Sequence, residues 1–123
     1  MAIVVGYIPT KEGAAALARA GEEALLRKTD LVIINSDRDG SGDGSELAAL
    51  GKDLKSKGVD VQVRQLVRGN EPAEDLLAVA DETGAELIVI GLRRRTPVGK
   101  LILGSNAQRI LLDAPCPVLA VKS

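Results

Sequence analysis

Histidine, tryptophan and phenylalanine are absent from the 123 residues, and tyrosine and cysteine occur once each, at Tyr7 and Cys116. Each absence removes a class of function. Without histidine the usual zinc spacings cannot be assembled, and Cys116, held between Pro115 and Pro117, has no imidazole to activate it as a nucleophile. A single cysteine also excludes an internal disulfide framework, which makes a reducing compartment the default. The near absence of aromatic rings leaves nothing on which the bases of single-stranded nucleic acid could stack. Charge of one sign is lacking too: the formal net charge is −1, so there is no global pull towards nucleic acid or an anionic membrane. The opening stretch MAIVVGYIPTKEG has neither a basic start nor a long apolar centre, and no apolar run reaches the ~18 residues of a membrane span. A cytoplasmic protein with no nucleic-acid and no membrane partner is therefore expected.

What is present is aliphatic. Hydrophobic residues make up 46% of the chain, so the core must be built from Ala, Val, Leu and Ile, as in a parallel sheet covered on both faces. The length suits one domain, residues 1–123. Ala2 to Val5 reads as a strand, Gly6 to Thr10 as a loop with Thr10 as N-cap, and Lys11 to Lys28 as a helix. Leu31 to Ile34 is a second strand. A polar, glycine-rich loop follows, and its Asp37, Asp39 and Asp43 invite a calcium reading. That reading fails because Ala48 stands where an EF-hand needs its bidentate glutamate and no helix precedes the loop. Ser45 to Lys57 is a helix stopped by Gly58, and Val61, Val63 and Leu66 alternate with polar residues as in an edge strand. The turn Gly69-Asn70-Glu71 leads into a helix from Pro72 to Thr83. A strand from Leu87 to Ile90, a helix from Ser105 to Asp113 and a strand from Val118 to Val121 complete the chain.

This alternation predicts an α/β fold: one doubly wound, five-stranded parallel sheet of order 3-2-1-4-5 with helices on both faces. In that order strands 1 and 4 are neighbours and the chain reverses direction between them, which opens a crevice at their carboxyl ends. The loops meeting there are Gly6 to Thr10 and Gly91 to Asn106.

The second loop, GLRRRTPVGKLILGSN, has the composition of an anion site. Gly104 lets the main chain approach an anion closely, Ser105 can cap the following helix or donate its hydroxyl, and the helix start favours negative charge. Arg93, Arg94, Arg95 and Lys100 add positive charge. Gln108 completes an S-x-x-Q capping box with Ser105, so cap and anion site account equally for the local pattern. No pair of carboxylates is fixed by spacing for acid-base work, and fast turnover is not expected.

At this point the chain resembles the universal stress protein family along essentially its whole length. The carrying stretches are IVVG in the first strand, VRGNEPA before the third helix, ELIVIG in the fourth strand and APCPVLAVK at the end. The family's nucleotide motif, Gly, two residues, Gly, nine residues, Gly and then Ser or Thr, falls on Gly91, Arg94, Gly104 and Ser105. The resemblance implies a site for ATP or AMP, with or without magnesium. Adenine would lie against Ile8 and near Ser36, with Tyr7 as a cover or as an ordinary packed side chain. Ribose and phosphates would lie over Ile90, Gly91, Arg94, Gly104, Ser105 and Asn106. Two positions depart from the pattern. Ile8 replaces an aspartate that hydrogen-bonds the base, and Arg94 replaces the middle glycine, where it either blocks the phosphates or pairs with them.

The resemblance further implies a homodimer through the last strand, Val118, Leu119, Ala120 and Val121, which would otherwise be an apolar sheet edge. The expected role is a dimeric regulator of stress responses, non-catalytic or nearly so. The alternatives are a member acting through protein contacts without nucleotide, and a slow ATPase.

Overall fold

The structure is a computed structural model that describes residues 2–36, 45–65, 69, 71–92 and 104–123, with Ser45 and Glu46 described by backbone alone. Among the described residues nine elements alternate strictly: β1 (Ala2–Tyr7), α1 (Lys11–Arg27), β2 (Asp30–Asn35), α2 (Ser45–Ser56), β3 (Val61–Gln65), α3 (Pro72–Thr83), β4 (Leu87–Leu92), α4 (Ser105–Asp113) and β5 (Val118–Lys122). The strands form one sheet in the order β3-β2-β1-β4-β5, and every pairing is parallel. Among the described residues no helix is long and apolar enough to cross a membrane.

Strand periodicity divides the core into two halves. Ile3, Val5 and Tyr7 of β1 pack with Ala16, Leu17 and Ala20 of α1 and Leu47 and Leu54 of α2. Val4 faces the other way, towards Ala73, Leu76 and Ala80 of α3 and Ile110 of α4. The central strands β1, β2 and β4 are therefore apolar on both faces, which explains their unbroken Val/Ile/Leu runs.

The strands are longer than the apolar runs suggest. Gly6 and Tyr7, expected in the first loop, belong to β1: Tyr7 pairs in register with Asn35, and the Ser36 N–H donates to the Tyr7 carbonyl at 2.9 Å. Hydrogen bonding to β2, rather than side-chain type, decides where β1 ends. Tyr7 is accordingly a buried strand residue. Val63 departs in the other direction and is 43% exposed. It lies on the same face of β3 as Val61, over an open groove beside α2. Leu66, expected on the same strand, lies outside the described residues, as do Asp37, Asp39 and Asp43.

The start of α1 is set by Thr10, whose hydroxyl accepts from the Gly13 N–H at 3.1 Å. A β-carbon on Gly13 would collide with the Ile8 carbonyl oxygen, so glycine is what lets the first turn of α1 lie against the end of β1. Gly51, inside α2, has no such constraint: an added β-carbon would sit 3.8 Å from Val61 Cγ1, an ordinary contact. Gly13→Ala should cost about 2 kcal/mol and lower the melting temperature by on the order of 5–10 °C. Gly51→Ala should raise it by roughly 2–5 °C, because alanine loses less backbone freedom in a helix. Calorimetry of the two variants beside the parent chain checks both.

Cys116 is half-buried against the α3/α4 side of the core, and that burial pushes its thiol above the usual range. The thiol therefore stays protonated throughout the neutral range. Since the thiolate is the reactive form, labelling at pH 7.5 should be much slower in the folded chain than in denaturant, with the difference shrinking as pH rises through the elevated value. Equal rates in both states at pH 7.5 would contradict this.

Candidate functional site

A parallel sheet places the N-terminus of every connecting helix at the carboxyl ends of the strands. Here the chain leaves β1 for α1 on one face and leaves β4 for α4 on the other, and a cavity of about 300 Å³ opens between them. Its walls include Tyr7, Ile8, Ser36, Ile90, Gly91, Gly104 and Asn106. These come from three loops, two strands and the first turn of α4, far apart in sequence. Ser105 is exposed at the first position of α4 and does not line the cavity, and Arg94 lies outside the described residues together with Arg93, Arg95 and Lys100.

Ile8 follows the last residue of β1 and is 38% exposed, an apolar side chain presented to the cavity. Its carbonyl accepts from the Thr10 N–H at 2.8 Å, which closes the turn into α1. The back wall is also apolar: Leu76 of α3, Ile90 and Leu92 of β4, and Ile110 of α4. Ile90 is among the expected site residues; Leu76, Leu92 and Ile110 carry no sequence signature of a site, because each belongs equally to the hydrophobic core of its element.

The start of α4 differs from the expected capping box. Gly104, not Ser105, is the N-cap, with extended backbone at φ −69° and ψ 165°, and the first helical bond runs from the Gln108 N–H to the Gly104 carbonyl at 3.0 Å. Ser105 therefore occupies N1 and Gln108 falls one position too late to close an S-x-x-Q box. The cap residue has no side chain, and helix geometry leaves the N–H groups of Ser105, Asn106 and Ala107 without acceptors inside α4. That is the arrangement of an anion-binding helix start.

Asn106 has a structural task that its sequence position did not reveal. Its Oδ1 accepts from the Ala73 N–H at 3.2 Å, tying the first turn of α4 to the first turn of α3. Pro72, the first residue of α3, and Glu12 and Gly13 of α1 also line the cavity. Three helix N-termini thus face one space, and the dipole of each favours negative charge there. Among the described lining residues none is cationic, and what these residues offer an anion is backbone. The Pro at the start of α3 was a readable sign of that second N-terminus.

Two glycines of the expected motif do different work. A β-carbon on Gly91 would strike the Glu12 carbonyl oxygen, so this glycine serves the approach of α1 to β4. Gly104 has an ordinary φ, and no heavy atom of the described residues lies within 4 Å of the place its β-carbon would take. Neither backbone conformation nor packing among those residues demands glycine at 104. Among the described residues no group of three or more His, Cys, Asp or Glu is placed to hold a metal ion.

Comparison with known proteins agrees with the fold. A universal stress protein of Mycolicibacterium smegmatis is 45% identical over 98% of this chain and 96% of its own. The universal stress protein from Archaeoglobus fulgidus solved in complex with dAMP is 30% identical, with a TM-score of 0.75 over 99% of this chain and 98% of that one. A universal stress protein solved in complex with cAMP is 26% identical, with a TM-score of 0.75 over 99% and 96% of the two chains. The family model for universal stress proteins matches residues 1–122. With the sheet order, the cavity at the strand 1/strand 4 switch point and this full-length match together, the chain belongs to the universal stress protein family.

Proposed function

We propose that this chain binds an adenine nucleotide, ATP or AMP, in the switch-point cavity and acts as a dimeric, non-catalytic or nearly non-catalytic regulator of stress responses in the cytoplasm. The carrying observation is Gly104. It caps a helix whose first N–H groups have no acceptors within the helix, and among the described residues the space beside it is open although its backbone would accept any residue. Phosphate in that space would take hydrogen bonds from the main chain at the positive end of α4. Adenine would lie at the other end of the cavity against Ile8, with Ser36 beside it and the apolar wall of Leu76 and Ile90 behind. That relatives were solved with dAMP and with cAMP supports the same ligand class. Magnesium would travel with ATP and is not required by the protein side of this reading.

Binding of this kind stabilises the folded chain. At ~100 times its dissociation constant a ligand adds roughly 2.7 kcal/mol, a shift of several degrees in melting temperature. ATP or AMP at millimolar concentration should produce that shift in the parent chain and not in Gly104→Asp, which puts a carboxylate where phosphate would sit. No described residue beyond its chain neighbours stands in the way of that side chain. If neither nucleotide shifts the parent chain, the reading fails. Ile8, which offers the base no hydrogen bond, would then favour a member that acts through protein contacts.

The dimer would form on β5, which among the described strands pairs only with β4 at the end of the sheet. Val118 to Val121 are half-buried along this edge. The Pro117 carbonyl accepts from the Ile88 N–H at 3.0 Å. Strand alternation then turns the peptide groups of Leu119 and Val121 towards β4, and those of Val118 and Ala120 outward. Antiparallel pairing of two copies would use the outward groups. Light scattering at micromolar concentration should give a dimer, and Ala120→Pro, which removes an outward donor and spares the β4 ladder, should give a folded monomer. A parent chain that is already monomeric would refute this interface.

A further inference from the structure

Glu12 is the one charged residue among the described residues lining the cavity, and no local sequence signal singles it out. It sits in the first turn of α1, fixed from three sides. Thr10 caps the turn, Gly13 presses it against Ile8, and the missing side chain of Gly91 lets the Glu12 carbonyl lie against β4. A carboxylate at an otherwise electropositive cavity suits a ligand group that donates hydrogen bonds and lies away from the anion.

The order of elements along the sheet supplies that position. Ser36 follows β2, Ile8 follows β1, Gly91 is on β4, and Gly104 stands at the start of α4. The Glu12 main chain and β-carbon lie against Gly91, between the Ile8 and Ser36 end and the Gly104 end, and Glu12 lines the cavity there. In a nucleoside phosphate the unit between base and phosphate is the sugar, and its donors are the 2′- and 3′-hydroxyls. Ionised carboxylates accept from vicinal hydroxyls, and half-burial strengthens such bonds. An acidic side chain on the ribose is also the usual device in other nucleotide-binding doubly wound sheets.

We infer that Glu12 reads the sugar, accepting hydrogen bonds from the ribose hydroxyls, and makes this cavity select ribonucleotides over 2′-deoxyribonucleotides. This rests on the nucleotide reading of the site and adds a residue and a specificity to it. Removing the 2′-hydroxyl leaves a half-buried carboxylate with one donor fewer, so deoxynucleotides bind on the order of 10-fold more weakly. Glu12→Gln keeps the shape of the side chain but exchanges one acceptor oxygen for an NH₂ and removes the charge.

Isothermal titration of AMP, dAMP, ATP and dATP into the parent chain and into Glu12→Gln tests this. The parent chain should prefer each ribonucleotide by about 10-fold, and the preference should fall to about 2-fold or less in the variant, with deoxynucleotide affinity held or improved. Equal affinity for ribo and deoxy forms in the parent chain overturns the role of Glu12 and leaves the nucleotide site standing. A preference that survives Glu12→Gln overturns it as well. Equal weakening of all four ligands by Glu12→Gln marks a merely structural residue and likewise overturns the sugar-reading role. No binding of any of the four by the parent chain removes the nucleotide reading itself, and this inference with it.

Discussion

The approach of α1 to the ends of β1 and β4 is the contact on which the rest of the site depends. It exists because two side chains are missing. At Gly13 a β-carbon would meet the Ile8 carbonyl, and at Gly91 it would meet the Glu12 carbonyl. With both absent, the first turn of α1 closes one side of the switch-point crevice, turns Ile8 into a wall and brings Glu12 beside β4. The Thr10 cap then holds the turn in place. Displacing that turn would open the cavity and separate its polar groups together.

Among the described residues, the electrostatics of the site follow from strand direction. Because every strand runs the same way, α1, α3 and α4 all begin at the same end of the sheet, and their dipoles add over one small volume. Asn106 links two of these starts through the Ala73 N–H, which keeps the first turns of α3 and α4 in fixed relation. Such backbone-borne charge carries no side-chain entropy and does not titrate.

Much of the architecture is legible in the chain. Unbroken aliphatic runs separated by amphipathic stretches predict the alternation of strands and helices, and the bounds of α3 and α4 agree with the expected ones. The departures have a common origin. A glycine after an apolar run predicts a loop at Gly6 and Tyr7, yet β2 extends beside them and supplies their partners. The preference of serine for helix starts predicts a cap at Ser105, yet the chain enters α4 one residue earlier. In both cases hydrogen bonding set by neighbouring elements overrides the preference of the residue itself.

For the site, sequence by itself determined the family resemblance, the loops that meet at the switch point and the glycines and small polar residues they carry. It could do so because these are local: a turn, a helix start and a periodic apolar face are each written in a few consecutive residues. Only the tertiary structure decided that Gly91 answers to α1 while no packing among the described residues demands glycine at 104, that Asn106 joins two helices, and that Glu12 lines the cavity. Those facts depend on which atoms of distant elements occupy the same few ångströms, and that is fixed by the packing of α1, α3 and α4 on the sheet.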